Sequence, residues 1–128
     1  MTEEQIHTSL CKYIDIVYPA VEFNSDLSGI TLTKGQAKKA AKLRKSRGYP
    51  DLVLYEPRGQ YHGFHLEIKV EGTSVYLQKG GFTVDAHINE QRQKIEILRQ
   101  KGYYAEFGVG FIDCQTQIDT YMKLPKNY

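Results

Sequence analysis

Tryptophan is absent, cysteine and methionine occur twice each, and proline four times in 128 residues. Two cysteines, Cys11 and Cys114, near opposite ends of the chain, cannot staple a disulfide scaffold. They form no Cys-x-x-Cys pair, so structural zinc is not expected, and buried reduced thiols are. His62 and His65, three apart on a strand, would point to opposite faces and make a poor metal pair. No run approaches the ~18 apolar residues of a membrane span. The opening MTEEQIHTSL is acidic and polar, unlike a secretory signal, which makes the cytoplasm the expected location. The glycine pair Gly80-Gly81 is not followed by Gly-Lys-Ser/Thr, so no phosphate loop and no nucleotide cofactor are expected. Nor does either sign of charge dominate: 17 Lys and Arg against 15 Asp and Glu leave a net charge of +2.

Ten Tyr and five Phe supply the large apolar bodies that disordered chains lack, and 41% hydrophobic residues suffice for one core. One domain spanning residues 1–128 is expected. The charge is unevenly spread. Lys34, Lys38, Lys39, Lys42, Arg44, Lys45 and Arg47 follow one another with no acid between them. Such a block is either a solvated helix face or a contact for a polyanion.

The spacing of Ile6, Leu10, Tyr13, Ile14 and Val17 predicts a helix over 2–18, with Thr2 and Gln5 as a capping box. Glu3 shares that apolar stripe, where an acid needs a partner, a metal or a helix dipole. AVEFN (20–24) reads as a short strand, SDLSG as a turn, and about 35–46 as a basic helix ending near Gly48. Leu52–Tyr55 and 61–70 read as strands joined by a Pro/Gly connection; in the second, Phe64, Leu66, Ile68 and Val70 alternate with His65, Glu67 and Lys69. Residues 71–86 read as a glycine-turned hairpin or ordered loop. A helix from Ile88 to Lys101, with Ile88, Ile95 and Leu98 inward and Gly102 as cap, a strand over 103–111 and a short helix over 114–124 complete an α/β layered domain with a mixed sheet.

Asp51, Glu67 and Lys69 carry the chemistry. Glu67 and Lys69 project from one face of a strand, in an apolar stretch where a lone charge is costly. Asp51 opens the neighbouring strand and can lie beside Glu67. Two adjacent carboxylates repel unless a cation lies between them, and Mg²⁺ is the natural one. Two carboxylates, a metal and a lysine are what phosphodiester hydrolysis needs: neutralised phosphate charge, an activated water and a stabilised leaving oxygen. Taken alone, Asp followed by Glu-x-Lys is more often ordinary surface salt bridging.

In context the pattern is more specific: Gly48-Tyr49-Pro50-Asp51, Glu67-Ile68-Lys69, Gln91 on the next helix, and Glu3 on the first. These motifs resemble the virus-type replication-repair nuclease (VRR-NUC) domain, a branch of the PD-(D/E)xK nucleases, over roughly residues 2–112. The resemblance implies a restriction-endonuclease-like αβββαβ core with a mixed central sheet flanked by helices. It implies Mg²⁺- or Mn²⁺-dependent DNA cleavage, with metal held by Asp51, Glu67 and the Ile68 carbonyl, and Glu3 close by or water-linked. Lys69 would be the catalytic lysine, and Gln91 would orient Lys69 or the water. Small stand-alone members of this kind are typical of phages, so a bacterial or phage-infected host cytoplasm is implied. They are similar to homodimeric resolvases of four-way (Holliday) junctions, in DNA recombination and repair; embedded members cut flapped DNA. A flap or nicking nuclease and a non-catalytic DNA-binding module of the same fold are the alternatives. Segment 71–87, longer than in the most compact members, reads as a dimerisation arm or a DNA-contacting hairpin. Lys38, Lys39, Lys42, Arg44, Lys45 and Arg47, just before the Pro-Asp pair, are expected to contact phosphates without reading bases. Tyr49, Tyr61, Tyr76, Tyr103 and Tyr104 can stack on unpaired bases, although core packing is the commoner role of tyrosine.

Overall fold

A computed structural model describes residues 1–27, 30–75 and 85–128. The first helix, α1 (Glu3–Val17), begins at Thr2, whose hydroxyl accepts from the Gln5 amide while the Gln5 side chain returns to the Thr2 amide. Ile6, Leu10 and Ile14 are buried, but Val17 is exposed. The chain then spends residues 18–21 on a turn closed by the Val21 amide on the Tyr18 carbonyl, so β1 is Phe23–Ser25 and starts later than the sequence predicts.

The basic helix α2 is Lys34–Lys42, capped by Thr33. It stops short of residue 46: none of its residues is buried, so no packing prolongs it past its own hydrogen bonds. The remaining elements are β2 (Leu52–Leu54), β3 (Phe64–Lys69), α3 (Ala86–Gln100), β4 (Tyr104–Val109) and α4 (Phe111–Met122). Gly110, at φ +85°, turns β4 into α4 earlier than expected. The predicted hairpin over 71–86 lies largely outside the described residues.

The sheet order is β1-β2-β3-β4. β1–β2 and β2–β3 are antiparallel, while β3–β4 is parallel, bridged by α3. This is the expected αβββαβ order in a mixed sheet, with α2 inserted and α4 appended.

Each face of the sheet carries a core. On one face Phe64, Leu66 and Ile68 pack with Leu52 and Leu54, the α1 stripe, and Cys114, Ile118 and Tyr121 of α4. On the other, Ile88 and Ile95 of α3 meet Ala105 and Phe107. Each such side chain contributes about 1.5–3 kcal/mol of burial. Gly108 lets α4 close: a Cβ there would collide with the Cys114 sulfur. Because both faces are covered, Glu67 and Lys69 are buried with the apolar residues of their strand. A central strand normally excludes charge from such positions.

Candidate active site

Asp51 stands immediately before β2, and the register Leu52↔Leu66 sets it against the Glu67 end of β3. Its Oδ2 accepts the Ile68 amide at 2.8 Å. That amide is diverted from the ladder to a side chain, which pins Asp51 to the strand carrying the other acid. Gly48 makes this approach possible. It has φ +87°, and a Cβ would lie 3.0 Å from the Glu90 carbonyl oxygen of α3. The neighbouring segment is fastened to the same helix: Lys94 donates to the Ser46 hydroxyl and lies over the Tyr49 ring, 4.2 Å from its centre.

Glu67 faces α3. Its Oε1 accepts from Gln91 Nε2 at 2.6 Å, while Oε2 is buried without a hydrogen-bond partner. Gln91 is thus partnered with Glu67, the acid beside Lys69. The Lys69 ammonium stands 3.9 Å from Glu67 Oε1 and 4.0 Å from Glu3 Oε1, a carboxylate reaching over from the first turn of α1. Four segments distant in sequence therefore converge: Glu3, Asp51, Glu67 with Lys69, and Gln91.

Both central acids are held above the usual carboxylate range. For Asp51 the cause is burial, partly offset by the Ile68 amide and by the charges of His7 and Lys69. For Glu67 burial and the adjacent Asp51 charge push the carboxyl up to about 9, against the pull of Lys69. Burial and mutual repulsion therefore disfavour the doubly ionised pair unless a cation lies between the two.

Among the described residues no group of three or more His, Cys, Asp or Glu side chains is arranged to hold a metal unaided. The pair nonetheless fits a hard divalent ion. Two neighbouring oxygen donors, one of them a buried orphan, present what such an ion neutralises, and Mg²⁺ commonly takes only one or two carboxylates and leaves its other positions to water and phosphate. A cleft of about 670 Å³ leads to Asp51 and Ile68 between the first turns of α1 and residues 25–27, Ile30 and Thr31. In its wall His7 Nε2 lies 2.8 Å from the Ser25 hydroxyl.

Lys38, Lys39, Lys42, Lys45 and Arg47 are exposed and Arg44 is half-buried. Of the tyrosines, Tyr61 and Tyr104 join Phe64 and Tyr121 in an aromatic cluster, and Tyr103 packs edge-on against His62 and His65. Tyr49 lies beneath Lys94, and Tyr76 is outside the described residues. Sequence reasoning missed Lys94, His7 and His87. His87 Nε2 lies 3.2 Å from Gln91 Nε2, one helical turn away. The spacing of four between His87 and Gln91 was the available signal.

No protein-family model matches the chain, and no curated protein does. A solved structure matches it over 98% of this chain and 92% of its own, with a TM-score of 0.66 and 26% identity. That neighbour is a VRR_NUC domain protein. The likeness of fold thus points to the same family as the motifs. The four-stranded mixed sheet flanked by four helices is the VRR-NUC arrangement, and it holds Asp51, Glu67 and Lys69 at its centre.

Proposed function

We propose that this protein is a Mg²⁺- or Mn²⁺-dependent, structure-selective DNA endonuclease that hydrolyses phosphodiester bonds and resolves four-way junctions as a homodimer. The observation that carries the reading is the Asp51–Glu67 pair, half-buried Asp51 on the cleft and buried Glu67 with an unpartnered carboxylate oxygen, beside Lys69 and bonded to Gln91. Nuclease chemistry gives each of these groups work. Asp51, Glu67 and the Ile68 carbonyl would hold the ion, with Glu3 linked through water. A bound divalent ion supplies phosphate charge neutralisation and a more acidic water. Lys69 stabilises charge building on the phosphoryl oxygens. Gln91 holds Glu67 as an acceptor, and the Ile68 amide holds Asp51. Lys38, Lys39, Lys42, Arg44, Lys45 and Arg47 bind phosphates and set the DNA's position without reading its bases. The dimer follows from the substrate: a symmetric junction needs two symmetry-related cuts.

The deciding experiment compares labelled four-way junction, 5′ flap, single strand and linear duplex with Mg²⁺, Mn²⁺ or EDTA. Paired symmetric cuts in the junction alone are expected. They should disappear with EDTA and in Asp51→Asn and Lys69→Ala, which retain DNA binding. Loss on this scale corresponds to at least ~4 kcal/mol of transition-state stabilisation, roughly a thousandfold in rate. Undiminished cleavage by a folded Lys69→Ala protein sinks the site. Cutting of flaps instead would keep the site and replace the substrate. Binding without cleavage of any substrate would turn the reading to a DNA-binding module.

A further inference from the structure

Gln91 sits between two acceptors. Its Nε2 lies 2.6 Å from Glu67 Oε1 and 3.2 Å from His87 Nε2, while its Oε1 is buried without a partner. A primary amide has two N–H hydrogens on one edge and an acceptor on the other. With one hydrogen on Glu67, the second is directed to His87, which then accepts at Nε2 and carries its own proton on Nδ1. Rotating the amide by half a turn would put its oxygen against a carboxylate oxygen and an imidazole lone pair at once. With Glu67 ionised, as a bound cation would hold it, both of those contacts are repulsive.

We propose that His87 is a positioning residue: its Nε2 lone pair fixes the Gln91 amide in the orientation that gives Glu67 a donor. The inference rests on the reading of Glu67 as a metal ligand and extends it to a residue outside the acid cluster. Held this way, Gln91 favours the ionised Glu67, the form a cation requires, and leaves Oε2 open. Partners of metal-binding side chains typically change affinity by 10–100-fold when removed. His87 acts one step further out, so the lower end is expected. The helix supplies the spacing: His87 and Gln91 are four apart in α3, and Asp85, accepting from the His87 and Ile88 amides, fixes the first turn that carries the imidazole.

Two measurements on the full chain test it. The first needs no metal: nitrogen NMR of the imidazole at about pH 10, above the ordinary histidine range and above the range to which burial raises the Glu67 carboxyl. His87 should be mainly the Nδ1–H tautomer, and Gln91→Ala should return it to the ordinary mixture. The second is calorimetric titration of metal-free protein with Mn²⁺. His87→Phe should weaken binding about tenfold, and His87→Gln, whose carbonyl can accept from Gln91, should restore it. An Nε2–H tautomer in the wild type overturns the proposal, as does wild-type Mn²⁺ affinity in His87→Phe. If the wild-type protein binds no Mn²⁺, the metal reading itself fails, and the tautomer then decides the His87–Gln91 contact alone.

Discussion

Glu67 is buried beside Asp51, and the Lys69 ammonium lies 3.9 Å from it. The stability of the metal-free protein must therefore depend on pH in a definite sense. Glu67 titrates near 4.5 when unfolded and near 9 in the fold. Between those values the native state binds more protons than the unfolded chain, so this contribution is full below the lower value and is lost as pH rises through the upper one. Thermal melts in EDTA should show the melting temperature falling across that window. Glu67→Gln should flatten the fall, and Mg²⁺ should reverse it at the alkaline end. The two thiols differ in the same residue-level terms. Cys114 is fully buried and its thiol is pushed up to about 12, whereas Cys11 is half-buried. A thiol reagent should label Cys11 in the native protein and reach Cys114 only on unfolding.

Secondary-structure elements differ in how far the site depends on them. Residues 44–51 run from the basic segment to Asp51, and Gly48 presses against α3 midway. Gly48→Ala forces a side chain into left-handed backbone and against the Glu90 carbonyl. A loss of about 1–3 kcal/mol in urea unfolding is expected, with reduced cleavage because Asp51 moves with its loop. α2 should behave oppositely. It buries no residue, so Lys38→Gln, Lys39→Gln and Lys42→Gln together should leave stability within about 0.5 kcal/mol. DNA affinity should fall, and the slope of log K against log salt should drop by about 0.9 for each phosphate that is no longer neutralised. The same contrast governs what the sequence makes legible. β3 is readable because strict alternation leaves Glu67 and Lys69 on one face whatever surrounds them, and α1 because its cap and stripe are local. The late start of β1 is not, since it depends on the turn closed by Tyr18 and Val21. Neither is the end of α2, which reflects packing that is missing. Lys94 reads as a surface lysine until Tyr49 and Ser46 are seen beneath it, and no spacing rule sets the orientation of the Gln91 amide.

At the scale of the molecule, the end of the chain is bound into the fold. Arg58 pairs with buried Glu56 at 2.8 Å and donates to the Met122 and Leu124 carbonyls, while the Tyr128 hydroxyl reaches the same carboxylate. Arg58→Ala strands a buried carboxylate and should cost about 3 kcal/mol in urea unfolding while leaving cleavage per folded molecule unchanged, because this latch lies outside the site. The site, by contrast, is spread along the chain, and β3 at its centre has two unlike neighbours. Its antiparallel partner β2 is close in sequence; its parallel partner β4 is reached only through the crossover of α3. Short-range pairings form faster than long-range ones. In refolding, β2–β3 should gain amide protection first and bring Asp51 to Glu67 while water still reaches both. Only the later docking of α3, with Gln91, dries the pair. Stopped-flow refolding should therefore show cleavage returning with the slowest phase, after the hairpin is protected. Activity returning with the hairpin would mean that α3 is dispensable for the chemistry. If cleavage instead returns with the slowest phase, a nascent or partly unfolded chain is harmless to the nucleic acid around it, any hydrolytic power being withheld until the last crossover has closed.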